Sequence, residues 1–165
     1  MASTPIDLRD EASYALAMRI GLAWREIRRG AAMSTVRDYL FGTGDDALEQ
    51  GQMDTLDLLA RQPSLRMSEL ADALRVDPST ATRAVQRLLS GGLAVRATSD
   101  DDGRVVMVSI TPAGRARHAE VEVRRAVLMA HMLEAYTPTE RVRLADMLER
   151  FVAALDGFVT HLDTP

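Results

Sequence analysis

The sequence predicts a mainly α-helical fold with one small two-stranded β wing. Three observations carry that prediction. Apolar residues recur three and four positions apart over most of the 165 residues. Only the segment from Ala94 to Ile110 combines β-prone residues with a hairpin signal. Just before it, two short amphipathic stretches stand only a few residues apart, the outline of a helix-turn-helix.

Residues 8–29 read as a long helix with Leu8, Ala12, Ala15, Leu16, Ile20 and Ala23 along one side. "FGTGDD" at 41–46 is a loop. Residues 47–61 form the next helix, with Met53, Leu56, Leu59 and Ala60 inward, and "RQPS" ends it. A short helix at about 68–75 buries Leu70, Ala71 and Leu74. The helix at 78–90 is the best punctuated. Asp77 is a good N-cap, and Pro78 suits the first helical position, where its missing N–H costs nothing. Gly91 and Gly92 close it, because a left-handed cap is cheap for glycine. Ala81, Val85, Leu88 and Leu89 fall on one side; Ser79, Thr80, Thr82, Arg83, Gln86 and Arg87 fall on the other.

Asp102-Gly103 signals a hairpin turn between Ala94–Thr98 and Arg104–Ile110. A lone hairpin does not fold by itself, so it packs beside the helices. Thr111-Pro112 opens a long helix running to about Ala135. Thr137, three residues before Glu140, opens the last helix with a capping box. There Leu144, Leu148, Phe151, Leu155, Phe158 and Leu162 step by 4, 3, 4, 3 and 4, a narrow heptad-like stripe. Such a stripe packs either inside the chain or against a second copy. Few strands and three long terminal helices favour a homodimer, with these six residues at its interface.

Hydrophobic residues make up 47% of the chain, enough for a globular core in one domain. No apolar run approaches the roughly 18 residues of a membrane span. The first residues lack the basic start and apolar stretch of a signal peptide, so a cytoplasmic protein with no membrane partner is expected. The lack of cysteine excludes disulfides, Cys-ligated zinc and thiol redox switches. A net charge of −4 argues against nucleic acid only as a total. Between Ser64 and His118 stand eight Arg and six acids, whereas the rest holds twelve Arg and eighteen acids. The middle is mildly basic and the ends are acidic, which permits DNA binding there.

Helix, helix, hairpin, helix, helix with this punctuation resembles the MarR family of winged helix-turn-helix regulators. "MSELADAL" (67–74) is similar to the first helix of the family's motif, and "DPSTATRAVQRLLSGGL" (77–93) to its recognition helix. "DDDGRVVMVSITPAG" (100–114) is similar to the wing, whose signature is Asp-x-Arg, a β run, then Leu-Thr-x-x-Gly. Here these are Asp102-Gly103-Arg104 and Ile110-Thr111-Pro112-Ala113-Gly114. The motifs cover roughly residues 50–115, and the architecture covers nearly the whole chain. Two positions depart from the pattern. Arg66 stands where the family often has a capping Thr three residues before Glu69, so the helix there is more weakly capped or starts at Ser68. The wing tip carries Asp100, Asp101 and Asp102, with Gly103 replacing a commonly basic residue, which weakens a minor-groove grip.

The resemblance implies a winged helix-turn-helix with long N- and C-terminal dimerisation helices. Residues 1–47 form the N-terminal helical part of the dimerisation region, 48–111 bind DNA, and 112–165 complete the dimerisation helices. A helix fits the major groove, where Arg forks onto guanine and Gln brackets adenine. Arg83, Gln86 and Thr82 are therefore candidate base readers, with Arg87, Ser79 and Thr80 on phosphates. Arg104 at the wing tip is placed to enter a minor groove. The resemblance further implies that Asp102 pairs with Arg96 and stiffens the wing. Two recognition helices of a dimer sit about 34 Å, or ~10 bp, apart, so the expected partner is an inverted-repeat operator in double-stranded DNA.

Family members often release DNA on binding a small aromatic or anionic molecule. Met18, Trp24, Tyr39, Met53 and Met107 are candidates to line such a site, and Arg25 to meet an anion, although ordinary packing or surface positions suit each of them better. His118 and Glu122, like His131 and Glu134, have chelating spacings, but two ligands do not make a site, so no metal and no cofactor is expected. No catalytic triad order, phosphate-cradling Gly loop or carboxylate pair is legible, so no enzyme is expected. The reading is a homodimeric transcriptional regulator, a repressor relieved by ligand. The alternative is a winged-helix protein-interaction module without DNA binding, suggested by the Asp-rich wing tip and the acidic balance.

Overall fold

The computed structural model describes residues 5–62, 64–98 and 105–162. The elements in order are α1 (Glu11–Arg29), α2 (Ala31–Phe41), α3 (Gln50–Arg61), β1 (Ser64–Arg66), α4 (Met67–Leu74), α5 (Pro78–Ser90), β2 (Ala94–Thr98), β3 (Val106–Ile110), α6 (Pro112–Leu133) and α7 (Pro138–Leu162). The chain divides into two compact units, Met1–Val121 and Glu122–Pro165.

In the first unit, Asp10 caps α1 by accepting from the Ser13 N–H at 2.8 Å. Gly30 then adopts an extended backbone and separates α1 from α2. The sequence reading passed over α2, although Met33, Val36 and Leu40 recur there at helical spacing and are half-buried, with Phe41 buried at its end. α3 starts three residues later than expected, at Gln50. Its Met53, Leu56 and Leu59 are fully buried and form the centre of the core with Leu70, Val85, Leu88, Val108 and Val121.

The wing has one strand more than expected. β1 pairs antiparallel with β3, and β3 with β2, giving the order β1-β3-β2. Leu65 lies opposite Val108, and Ala94 opposite Ile110, so the sheet turns these four side chains into the core. Three residues of β1 are too short to display alternation, and only pairing to β3 makes them a strand.

In the second unit, the Thr137 box forms as expected. The Thr137 N–H donates to Glu140 Oε2 at 2.9 Å, and the Glu140 N–H donates to Thr137 Oγ1 at 3.4 Å. No described residue of α7 is buried. Leu148, Phe151, Leu155, Phe158 and Leu162 are exposed and Leu144 is half-buried. No helix among the described residues is long and apolar enough to cross a membrane.

Candidate nucleic-acid interface

α5 is anchored from one side and open on the other. Ala81, Val85 and Leu88 are fully buried, and α3 approaches so closely that a Cβ on Gly51 would lie 3.8 Å from the Ala84 Cβ. The opposite face presents Ser79, Thr82, Arg83, Gln86 and Arg87 to solvent, with Thr80 half-buried at its edge. This is the face the sequence singled out.

The first turn of α5 is tightly organised. The Asp77 carboxylate accepts from the Thr80 N–H at 2.9 Å, the Thr80 hydroxyl at 2.6 Å and the Ser79 hydroxyl. Those bonds, the Ser79 hydroxyl foremost, hold its carboxyl well below the usual carboxylate range. Arg83 Nη2 donates to Thr80 Oγ1 at 3.2 Å, which aims the guanidinium toward the start of the helix. The Thr82 hydroxyl donates to the Pro78 carbonyl at 2.7 Å. In the free chain, the protons of all three hydroxyls are therefore committed within α5. Arg87 forms an ion pair with Glu49, the N-cap of α3. The sequence signalled no such partner, because the two lie on different helices.

The exit of α5 is riveted to the wing and to α6. Gly92 takes φ +67, the left-handed conformation that glycine tolerates. The Thr111 N–H donates to the Leu93 carbonyl at 3.1 Å, and its hydroxyl to the Gly92 carbonyl at 2.8 Å. The Gly114 N–H returns to Thr111 Oγ1 at 2.9 Å. A Cβ on Gly114 would lie 2.1 Å from the Leu93 carbonyl oxygen, so only glycine fits. This explains physically why a Thr-x-x-Gly run follows the wing.

Arg96 stands exposed on β2, opposite Val108. Its expected partner Asp102, the minor-groove candidate Arg104, and Asp100, Asp101 and Gly103 lie outside the described residues. Arg66 is the N-cap of α4, and its N–H donates to Glu69 Oε2 at 2.7 Å. A guanidinium has no acceptor, so the Arg66 side chain cannot return the bond that a capping Thr would make. Arg75 closes α4 at φ 53, a left-handed position that the sequence reading missed for want of a glycine.

The candidate ligand residues are dispersed. Met53 is fully buried in the core, beside Leu56, Leu59 and Leu70. Its helical spacing alone did not distinguish core from cavity. Met18, Trp24 and Arg25 are exposed on α1, with Arg28 stacked 5.7 Å above the Trp24 ring, and Tyr39 is exposed on α2. Met107 borders a different groove, beside Arg66 and Glu69. Another open groove adjoins α5, walled by Glu49, Gln52, Arg87, Leu93, Arg117 and Glu120. None of the six candidates lines it. His118 Nε2 lies 3.0 Å from Asp57 Oδ1 and so ties α6 to α3. Glu122 pairs with Arg125 at 2.8 Å, and His131 lies 3.6 Å from Glu134.

Comparison with known proteins agrees with this geometry. A family model described as MarR family matches residues 48–106. The chain is 30% identical over 105 residues to the HTH-type transcriptional repressor MdtR of Bacillus subtilis, spanning 64% of this chain and 68% of that one. It is 28% identical over 103 residues to an uncharacterized HTH-type transcriptional regulator, YdgJ, of the same organism, spanning 62% and 63%. Among solved structures, YusO of B. subtilis is similar at 26% identity and TM-score 0.63, over 85% of this chain and 96% of that one. FabT of Streptococcus pneumoniae, solved in complex with DNA, shares the fold at 20% identity and TM-score 0.75, over 86% and 99%.

Proposed function

The chain belongs to the MarR family of transcriptional regulators, and from that premise we propose that it is a homodimeric repressor that binds an inverted-repeat operator and is released by a small-molecule ligand. The observation that carries the reading is α5, whose apolar side is fully buried while its Arg, Gln and hydroxyl side faces solvent. Arg83, Gln86 and Thr82 read base edges. Arg87, Ser79 and Thr80 meet phosphates, the two hydroxyls turning away from Asp77 as they do so. Arg104 reaches a minor groove, with Asp102 and Arg96 steadying the wing.

Exposed apolar side chains support the dimer. Leu16, Ile20, Leu22 and Ile27 on α1, and Leu148, Leu155, Phe158 and Leu162 on α7, are exposed. Soluble chains rarely leave such runs in water, and a second copy covers them. The repressor sign rests on the name of MdtR. The DNA partner is supported by the fold shared with FabT, which was solved with DNA. The ligand rests on the family alone.

Selecting genomic fragments with the purified protein at near-physiological salt, then sequencing them, tests the reading. An enriched inverted repeat with half-sites about one helical turn apart is the expected outcome. If a folded, dimeric protein enriches nothing, the operator reading fails and the winged-helix interaction module takes its place.

A further inference from the structure

We propose that Glu49 competes with DNA phosphate for Arg87, and thereby holds down the sequence-independent affinity of this chain for DNA. The inference rests on the DNA-binding reading above and names a residue that tunes it. Arg87 lies one turn beyond Arg83 on the exposed face of α5. Thr80, Arg83, Ala84 and Arg87 share one groove with Glu49, Gly51 and Gln52 from the start of α3. In that groove the Glu49 carboxylate takes the Arg87 guanidinium.

Glu49 is held in place. It is the N-cap of α3, and its own N–H donates to Oε1 of the buried Gln52 at 2.9 Å. The close approach of Gly51 to Ala84 presses the start of α3 against α5. The acid therefore stays beside the proposed DNA face and travels with it. The ion pair is also open enough to exchange, because its side chains are 51% and 64% exposed. Water and salt weaken such a pair, so a phosphate arriving at Arg87 can displace the carboxylate.

The consequence is selective. Sequence-independent binding is driven almost entirely by cations releasing counterions from phosphates. An arginine that must give up Glu49 before it meets a phosphate therefore costs that mode affinity. Operator binding keeps the base contacts of Arg83 and Gln86 and loses proportionally less. Weakening the wrong complex more than the right one widens specificity.

The test measures binding of wild type, Glu49→Gln, Arg87→Ala and the double variant to a random-sequence duplex over a salt series, with the melting temperature of each. Glu49→Gln is expected to raise affinity on the order of 3- to 10-fold at low salt and to steepen the log–log salt slope by up to about 0.9, as Arg87 no longer shares its phosphate contact with Glu49. In the Arg87→Ala background the same substitution should leave the slope where it was. A Glu49→Gln slope equal to wild type, with a lowered melting temperature, overturns the proposal and leaves the pair a structural brace. A rise in affinity that persists without Arg87 also overturns it, since Glu49 then merely repels phosphate. A wild type with no salt-dependent duplex binding at all sinks the DNA reading itself, so the two failures are distinguishable.

Discussion

Two single residues govern how α5 is presented. Asp77 gathers the Ser79 and Thr80 hydroxyls and the Thr80 N–H, and its lowered pKa makes that cap dependent on pH. A carboxylate whose folded pKa is depressed contributes stability above its unfolded value and loses it as the pH falls. Asp77→Ala should therefore melt below wild type at neutral pH. The gap should narrow as the pH drops below the ordinary value of 3.8, followed by circular dichroism. A gap independent of pH would mean that the carboxylate charge plays no part. Gly114 acts at the other end, where a Cβ would strike the Leu93 carbonyl and Ile110 Cγ1. Backbone cannot yield as a flexible side chain does. Gly114→Ala should cost about 2 kcal/mol or more in chemical denaturation, and a change of only a few tenths would show that the joint gives easily.

At the scale of the element, α5 combines an apolar seat with an exposed polar face, the one proposed to read DNA. The seat is expensive to disturb, because Leu88 is fully buried between helices and sheet. The face is cheap to alter, because Arg83 and Gln86 stand in solvent and bear on folding hardly at all. Mutating the face therefore isolates recognition from stability. If Arg83 reads a base as proposed, Arg83→Ala should retain the wild-type melting temperature and cost ~1–3 kcal/mol at one base pair, with discrimination relaxed there alone. Competition binding against operators substituted at each position measures this. Uniform weakening across every sequence would reassign Arg83 to a phosphate.

At the scale of the molecule, two long helices offer apolar surface that the single chain leaves uncovered. The α7 stripe steps at heptad spacing, with Leu155 and Phe158 at 45% and 58% exposure, which is costly in water for large apolar groups. Leu155→Glu should convert a dimer to a monomer in sedimentation equilibrium and abolish tight binding to a two-half-site operator. Weak binding to one half-site should remain. A wild type that sediments as a monomer at micromolar concentration would remove the second copy, and with it the inverted repeat.

The sequence alone determined whatever depends on local rhythm and punctuation. α5 was legible to its ends, since Asp77, Pro78 and the Gly91-Gly92 pair mark both termini and its apolar residues hold a helical period. β2 and the box at Thr137 were legible for the same reason. The polar face was equally legible, because a buried side dictates an exposed one. What escaped were features created by a distant partner. β1 exists through β3, the Arg87 charge is met by Glu49 from another helix, and His118 meets Asp57 across 61 positions. Met53 had the spacing of a core residue and the chemistry of a ligand contact, and its complete burial is known only from packing. Periodicity reports which side of an element is apolar. Tertiary contact decides what lies against that side, and so which charges remain available to a ligand.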